Sequence, residues 1–559
     1  MKGPRVVALA LALLGASCAL EPRSDSLTAD LVLRGGKVFV ADAAGTVHEA
    51  IAVRGDRILA VGTDDDISSL IGPDTRVVEL EGRLVTPGMN DAHLHFAPGG
   101  VSMLEVELLG ATSLAEIEAR VREAVAKAAP GEWITGRGWD HTRLPPEELG
   151  PGGWPTAEAL DRAAPDHPVY LRRVDGHTGW ANTRAMRLAG VTARTRDPVD
   201  GEIVRYPDGR PTGIFKEGAQ GLISRHVPRT TAEQLRRGVE AALALAARTG
   251  VTSVQTSVSP AELEVYQALR DEGKLTVRVY GWLPLSDRNI ELFRTTRLHA
   301  PLGDEWIRIG LLKGFVDGTL GSRTAWMLEP FTDEPSTRGI PVITVEELER
   351  LVAAADAAGM QLELHAIGDA ANRAALDAIE KAYAQNGRRD ARHRITHVQV
   401  LDAADIPRFA ALGVVASMQP THATSDMRWV ETRIGRERTE EGAYAWRKLL
   451  DAGAPMAFGT DFAVEPLRPV EGLYSAVTRQ SREQPGTPPG GWLPGEKLTI
   501  HEAIRLYTAG SAWAEFAEAD KGTLEPGKLA DLVLWDRDLL TIPPAEILEA
   551  APVLTVVGG

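Results

Sequence analysis

The sequence holds one cysteine in 559 residues, Cys18, which excludes an intramolecular disulfide and leaves stability to core packing. It has no internal repeat and no low-complexity tract beyond alanine-rich helical segments, which argues against repeat architectures and long disordered regions. Positive charge is in short supply: 61 Lys and Arg stand against 77 Asp and Glu, and the net charge of −16 is spread along the chain instead of gathered in a tail. That balance excludes nucleic acid as the expected partner and fits a soluble acidic protein. Outside the N-terminal segment no apolar run is long enough to cross a bilayer as a helix.

The N-terminal segment itself has Lys2 and Arg5, an apolar run from Val6 to Leu14, and small residues up to Cys18, the three parts of a bacterial secretory signal over residues 1–18. The expectation is an exported protein, whether periplasmic, secreted, or held to the membrane by a lipid on Cys18. Gly15 stands three before the cysteine where an apolar branched residue is usual, so both lipidation and ordinary cleavage stay open. A lipid anchor is the only membrane contact this reading allows.

What is present is an ordinary globular composition, 44% hydrophobic and 25% charged, on a chain long enough for two or more units or one large barrel. Residues 29–83 alternate as short strands with turns at Gly35-Gly36 and Gly55-Asp56, and residues 522–535 and 553–557 read the same way. Strands at both ends predict a β-sandwich built from the two termini, with residues 29–83 as one part and 516–559 as the other. Between them, apolar strand-like runs at Leu84–Thr86, Val251–Thr256, Leu275–Leu283, Ile307–Val316, Gln361–His365, Arg394–Val400, Val414–Met418 and Pro455–Gly459 alternate with helical patterns such as Ala232–Arg248 and Ala370–Ala384. Eight strands with intervening helices predict an α/β fold, a parallel (β/α)8 TIM barrel over residues 84–515. The gap from about residue 97 to 245 is too long for one crossover and is read as an insertion with its own structure. Trp139, Trp180, Trp326 and Trp429 lie in loop-like segments, where aromatic side chains either line clefts or pack beneath loops.

The stretch Pro87-Gly88-Met89-Asn90-Asp91-Ala92-His93-Leu94-His95 places two histidines two apart after an apolar strand, and on an extended segment residues i and i+2 share a side. In a barrel the site lies at the C-terminal ends of the strands. Lys313, His365, His397 and Asp461 stand at four other such ends. Neutral imidazole nitrogens and carboxylate oxygens are what a borderline divalent ion such as zinc accepts.

With these residues in place, the chain resembles the amidohydrolase superfamily of metal-dependent hydrolases, in particular the amidohydrolase-3 branch that contains N-substituted formamide deformylases. The resemblance rests on His93-x-His95, Asp175-Gly176-His177 with Trp180-Ala181-Asn182, and the run Lys313 to Arg323. It is completed by His365-Ala366-Ile367-Gly368-Asp369, Thr396-His397, Gly459-Thr460-Asp461 and the closing segment Gly522 to Leu532. It implies one or two divalent ions, usually zinc, with His93, His95 and Asp461 on the first and His365 with His397 on the second. Lys313 would bridge them, but an ammonium has no lone pair, so it could do so only as a carboxylated lysine; a Lys313–carboxylate ion pair is the other reading.

The chemistry expected is hydrolysis of an amide or related non-peptide C–N bond by water whose pKa a metal lowers from 15.7 to about 7, with Asp461 as proton shuttle. His177 or Arg323 could face the oxyanion, and Arg323 could bind a substrate carboxylate, although either could equally be structural. His422 is a further candidate for the rim after strand 7. An ester or phosphoester hydrolase, or a non-catalytic metal- or ligand-binding lipoprotein, would use the same residues, and a homo-oligomer stays open.

Overall fold

The computed structural model describes residues 28–296 and 301–559. The signal-like segment and Cys18 lie outside the described residues.

Eight parallel strands follow one another in chain order through a single sheet: β1 (Met89–Leu94), β2 (Val251–Ser257), β3 (Arg278–Pro284), β4 (Ile307–Phe315), β5 (Gln361–Ala366), β6 (Arg394–His397), β7 (Val415–Met418) and β8 (Met456–Phe458). Most of their residues are buried, the pattern of strands covered on both faces. The sheet curls until its last strand meets its first, where the Asp461 N–H donates to His93 O at 2.8 Å. Thr460 adds a second stitch, its N–H donating to Asp91 Oδ1 at 3.0 Å and its hydroxyl to Asp91 Oδ2. The result is a nearly closed barrel. Helices between the strands form the outer layer; the helix Ala232–Thr249 starts on a Thr231/Gln234 capping box and stops at Gly250, whose φ of 78° suits glycine.

The first barrel strand is not the one expected. Leu84–Pro87 pairs with Lys37–Phe39 and Leu532–Trp535 in a five-stranded terminal sheet, and β1 begins only after Gly88. The reason is local. A Cβ at Gly88 would come within 2.1 Å of Thr252 Oγ1, so the chain crosses from one sheet to the other at the one residue able to pass there. The five-stranded sheet and a four-stranded one, made from residues of both ends of the chain, share an apolar layer with Leu33, Ile51 and Val53 on one side and Val38, Val85, Leu532 and Leu534 on the other.

The long segment after β1 carries a six-stranded sheet with the order Gly201–Arg205, Pro211–Glu217, Thr178–Ala181, Val169–Arg173, Ile134–Trp139, Val106–Glu107. Its core is separate from the barrel's and contains Trp139, Trp154 and Trp180, all buried, with Trp139 and Trp180 in an edge-to-face contact at 5.4 Å between ring centroids. Truncating one such ring would cost about 3–5 kcal/mol. The turn that follows Arg173 carries Asp175, Gly176 and His177 to the same cavity as the C-terminal ends of the barrel strands.

Candidate metal centre

His93 lies on β1 and His95 just beyond it, so both follow the expected i, i+2 placement. Asp461 follows β8 in a left-handed backbone conformation, φ 59°, and the seam hydrogen bond to His93 O fixes where its side chain starts. Its Oδ1 lies 3.6 Å from His93 Nε2 and 3.4 Å from His95 Nε2. Its Oδ2 lies 3.5 Å from His422 Nε2 and 3.9 Å from His397 Nδ1. One carboxylate therefore joins two histidine pairs, His93 with His95 and His397 with His422.

The three separations to Nε2 atoms, of His93, His95 and His422, fit a shared ion better than they fit hydrogen bonds. Tetrahedral ligands about 2.1 Å from zinc stand about 3.4 Å from each other. Asp461 Oδ1 and His422 Nε2 are buried with no hydrogen-bond partner, a costly arrangement for polar atoms unless something else satisfies them. Burial above all lowers the basicity of His93, His365 and His397, with neighbouring cationic groups adding to it, so their imidazoles are neutral and keep a lone pair. Burial pushes the Asp461 carboxyl up, but His95, His93 and His422 outweigh it and hold the group well below the usual carboxylate range. The donor set is neutral nitrogen plus ionised oxygen, and a divalent ion such as zinc fits it.

A supporting layer orients these side chains. His93 Nδ1 lies 2.6 Å from Glu363 Oε1, the carboxylate–histidine arrangement that fixes a ligand ring and turns Nε2 towards the centre. His397 Nδ1 lies 2.9 Å from Gln419 Oε1, and the Gln399 amide lies 3.1 Å from His422 Nδ1. Lys313 Nζ, also buried, donates to Glu363 Oε1 at 2.9 Å. Lys313 and Glu363 thus form a buried ion pair beneath His93. Burial pushes Glu363 up, yet Lys313 and His93 hold it well below its ordinary value and keep it ionised.

His365 sits beside His397 at 4.6 Å between ring centroids, but its Nε2 faces Gly318 O at 3.1 Å and it belongs to neither histidine pair around Asp461; His422 stands there in its place. His177 reaches the centre from the insertion, 5.1 Å from the His365 ring, with Nδ1 2.8 Å from Glu217 Oε2. Burial lowers its basicity, but Glu217, Asp175 and Asp317 prevail and raise it to about 9. Arg323 does not reach the cavity. It forms a forked pair with Asp333, Nε to Oδ1 at 3.2 Å and Nη2 to Oδ2 at 2.9 Å, which turns that edge of the guanidinium to a carboxylate of its own loop. Of the tryptophans, Trp429 lines the cavity, whereas Trp139 and Trp180 are core residues of the insertion.

Glu363, Gln419 and Asp91 escaped the sequence reading. Glu363-x-His365 and Asp91-x-His93 obey the same i, i+2 rule that singled out His93 and His95, so a signal was there for two of them. The cavity above the centre has a volume of about 710 Å³, with the barrel ends as its floor and the insertion as one wall.

A family model described as "Amidohydrolase family" matches residues 76–559. The chain belongs to the amidohydrolase family. Proteins similar to it along nearly its whole length include the protein LONG AFTER FAR-RED 3 of Arabidopsis thaliana, 34% identical over 95% of this chain and 91% of that one. The N-substituted formamide deformylase of Arthrobacter pascens is 28% identical over 95% of this chain and 97% of its own length. Among solved structures, an uncharacterized metal-dependent hydrolase from Pyrococcus furiosus superposes with a TM-score of 0.68 at 30% identity, covering 91% of this chain and 100% of that one. Membership makes this amidohydrolase chain one of a metal-dependent hydrolase family.

Proposed function

We propose that the protein hydrolyses an amide or another non-peptide C–N bond of a small molecule, an N-formyl or N-acyl amine or a cyclic amide. The observation that carries this reading is Asp461, a buried carboxylate with one oxygen facing His93 and His95, the other facing His397 and His422, and Oδ1 without a hydrogen-bond partner. A relative named for removing formyl groups from substituted amines supports the choice of bond.

His93, His95 and Asp461 would hold one divalent ion, zinc by the donor types, and His397 with His422 could hold a second across Asp461. When bound, such an ion supplies a Lewis acid for the carbonyl and lowers the pKa of water at the site. The chain supplies the rest. Asp461 accepts the proton of the attacking water and returns it to the leaving nitrogen. His177, kept protonated by Glu217 on Nδ1, offers Nε2–H to the oxygen that gains charge. Lys313 remains an ammonium that balances Glu363, so this reading has no carboxylated lysine. The insertion wall bounds one side of the cavity in which the bond would react.

Metal content measured by elemental analysis, followed by amine release from a panel of N-formyl and N-acyl amines with and without chelator, tests the proposal. Chelator-sensitive turnover, restored by zinc, is expected. Metal-replete protein that leaves amides untouched would overturn it, and cleavage of esters or phosphoesters alone would move the activity to that rival class.

A further inference from the structure

The cavity wall contributed by the insertion and the rim loops is rich in arginine, and nearly all of it is neutralised from within. Arg173 donates to Asp140 at 2.7 Å and also to Asp175. Arg428 pairs with Asp140 at 2.5 Å, Arg143 grips Glu483 with both ends of its fork at 2.6 and 2.9 Å, and Arg172 reaches Glu105 at 3.0 Å. Arg482 pairs with Glu465 and Glu471, and Arg468 with Glu471 at 3.3 Å. Arg137 is the exception. It lines the same cavity at 9% exposure, makes one hydrogen bond, Nη2 to Val174 O at 2.9 Å, and has no carboxylate within ion-pair distance among the described residues.

An uncompensated guanidinium at that depth is expensive to keep. Burial and the adjacent Arg172 push Arg137 down to about 10, against the pull of Glu107 and then of Asp461, which places it within electrostatic reach of the centre. Arg137 stands between Arg172 and Glu107 on neighbouring parallel strands, but Glu105 is engaged by Arg172, and Glu107, which accepts from the Leu109 N–H at 2.6 Å, forms no ion pair with Arg137. A planar fork with free donors, facing a cavity, matches a planar oxyanion in size and geometry.

We propose that Arg137 anchors a carboxylate of the substrate, so that the preferred substrates are amides carrying a carboxylate at the end remote from the bond that breaks. This rests on the hydrolytic reading above and names its substrate class. Arg137 would act by binding, with the metal end of the cavity left to the reacting carbonyl.

The experiment compares 4-(formamidomethyl)benzoate with N-benzylformamide, twins that differ only in a carboxylate remote from the formyl group, on the zinc-loaded full-length protein. The wild type is expected to favour the acid by about tenfold to a hundredfold in kcat/KM, mainly through KM. In Arg137→Met the ratio falls to about one, and Arg137→Lys recovers part of it. A wild type without preference, or a ratio unaltered in Arg137→Met, overturns the proposal, and equal losses on both twins assign Arg137 a structural role instead. Binding is measured in parallel by thermal shift. If neither twin is hydrolysed, the hydrolytic reading fails on its own, and the anchor is then judged by stabilisation: by the acid and not the amine in the wild type, lost in Arg137→Met, if it stands, and by no difference if it falls.

Discussion

The two walls of the cavity follow opposite rules. On the barrel floor, polar atoms converge without satisfying one another: Asp461 Oδ1 and His422 Nε2 are buried and unpartnered, at separations that suit a shared ion. On the insertion wall, charge is matched internally, with Asp140 between Arg173 and Arg428 and Asp175 on Arg173. The first arrangement is unstable until something binds, and in the second the charges already have opposite partners. Convergence of unpartnered ligand-type atoms on one point marks where an ion would go, and paired charge marks scaffold. Arg137 is a floor-type residue placed in the wall.

Breaking the floor has the largest expected effect. Asp461→Asn removes the one group shared by both histidine pairs, and amide turnover should fall by about 10³-fold or more while the circular dichroism spectrum of the folded protein is kept. Glu363→Gln attacks the layer beneath. It takes the charge from His93 Nδ1 and leaves Lys313 buried beside a neutral amide, so metal titration should show about 10–100-fold weaker binding and urea unfolding a loss of about 3–5 kcal/mol.

The wall should respond in stability instead of chemistry. Asp140→Asn leaves Arg173, 3% exposed, with only Asp175, and a loss of about 2–4 kcal/mol by urea unfolding is expected with metal content unchanged. The same residue sharpens the comparison by pH. Burial pushes the Asp140 carboxyl up, but Arg173 and Arg428 hold it well below its ordinary 3.8, so its contribution is present above about pH 4 and is lost as pH falls through the folded value. Wild type should therefore lose stability on acidification below about pH 4 more steeply than Asp140→Asn, as a series of urea midpoints will show. The smallest effect belongs to Arg143→Ala, which removes a forked pair with the half-exposed Glu483 and should cost no more than about 1 kcal/mol in the same assay.

The barrel was legible in the sequence because its strands are apolar runs of the right length, and Gln361–Ala366 and Val415–Met418 stand within a residue of where the pattern put them. Leu84–Pro87 misled because it is apolar too; which sheet takes a strand is decided by distant partners such as Leu532–Trp535, and no local period reports them. The site divides in the same way. His93, His95, His397 and Asp461 announce themselves by spacing and by position at strand ends. His422 lies in a short helix after β7, where strand logic has little to say, and it was only a rim candidate. Arg323 and Arg137 were indistinguishable as letters. What separates them is Asp333, which occupies the first, and the want of any such neighbour for the second.

The hydrogen bond from Asp461 to His93 O closes the barrel between its first and last strands, and the companion contact of Thr460 with Asp91 spans 369 positions of chain. Both halves of the centre therefore come from residues that leave the ribosome far apart in time. A growing chain can fold its insertion and most of its barrel, yet it holds no complete binding site until residue 461 has emerged and the seam has shut. An ion held there would bind only a chain whose seam has shut, so it would act as a latch on the most distant contact of the barrel.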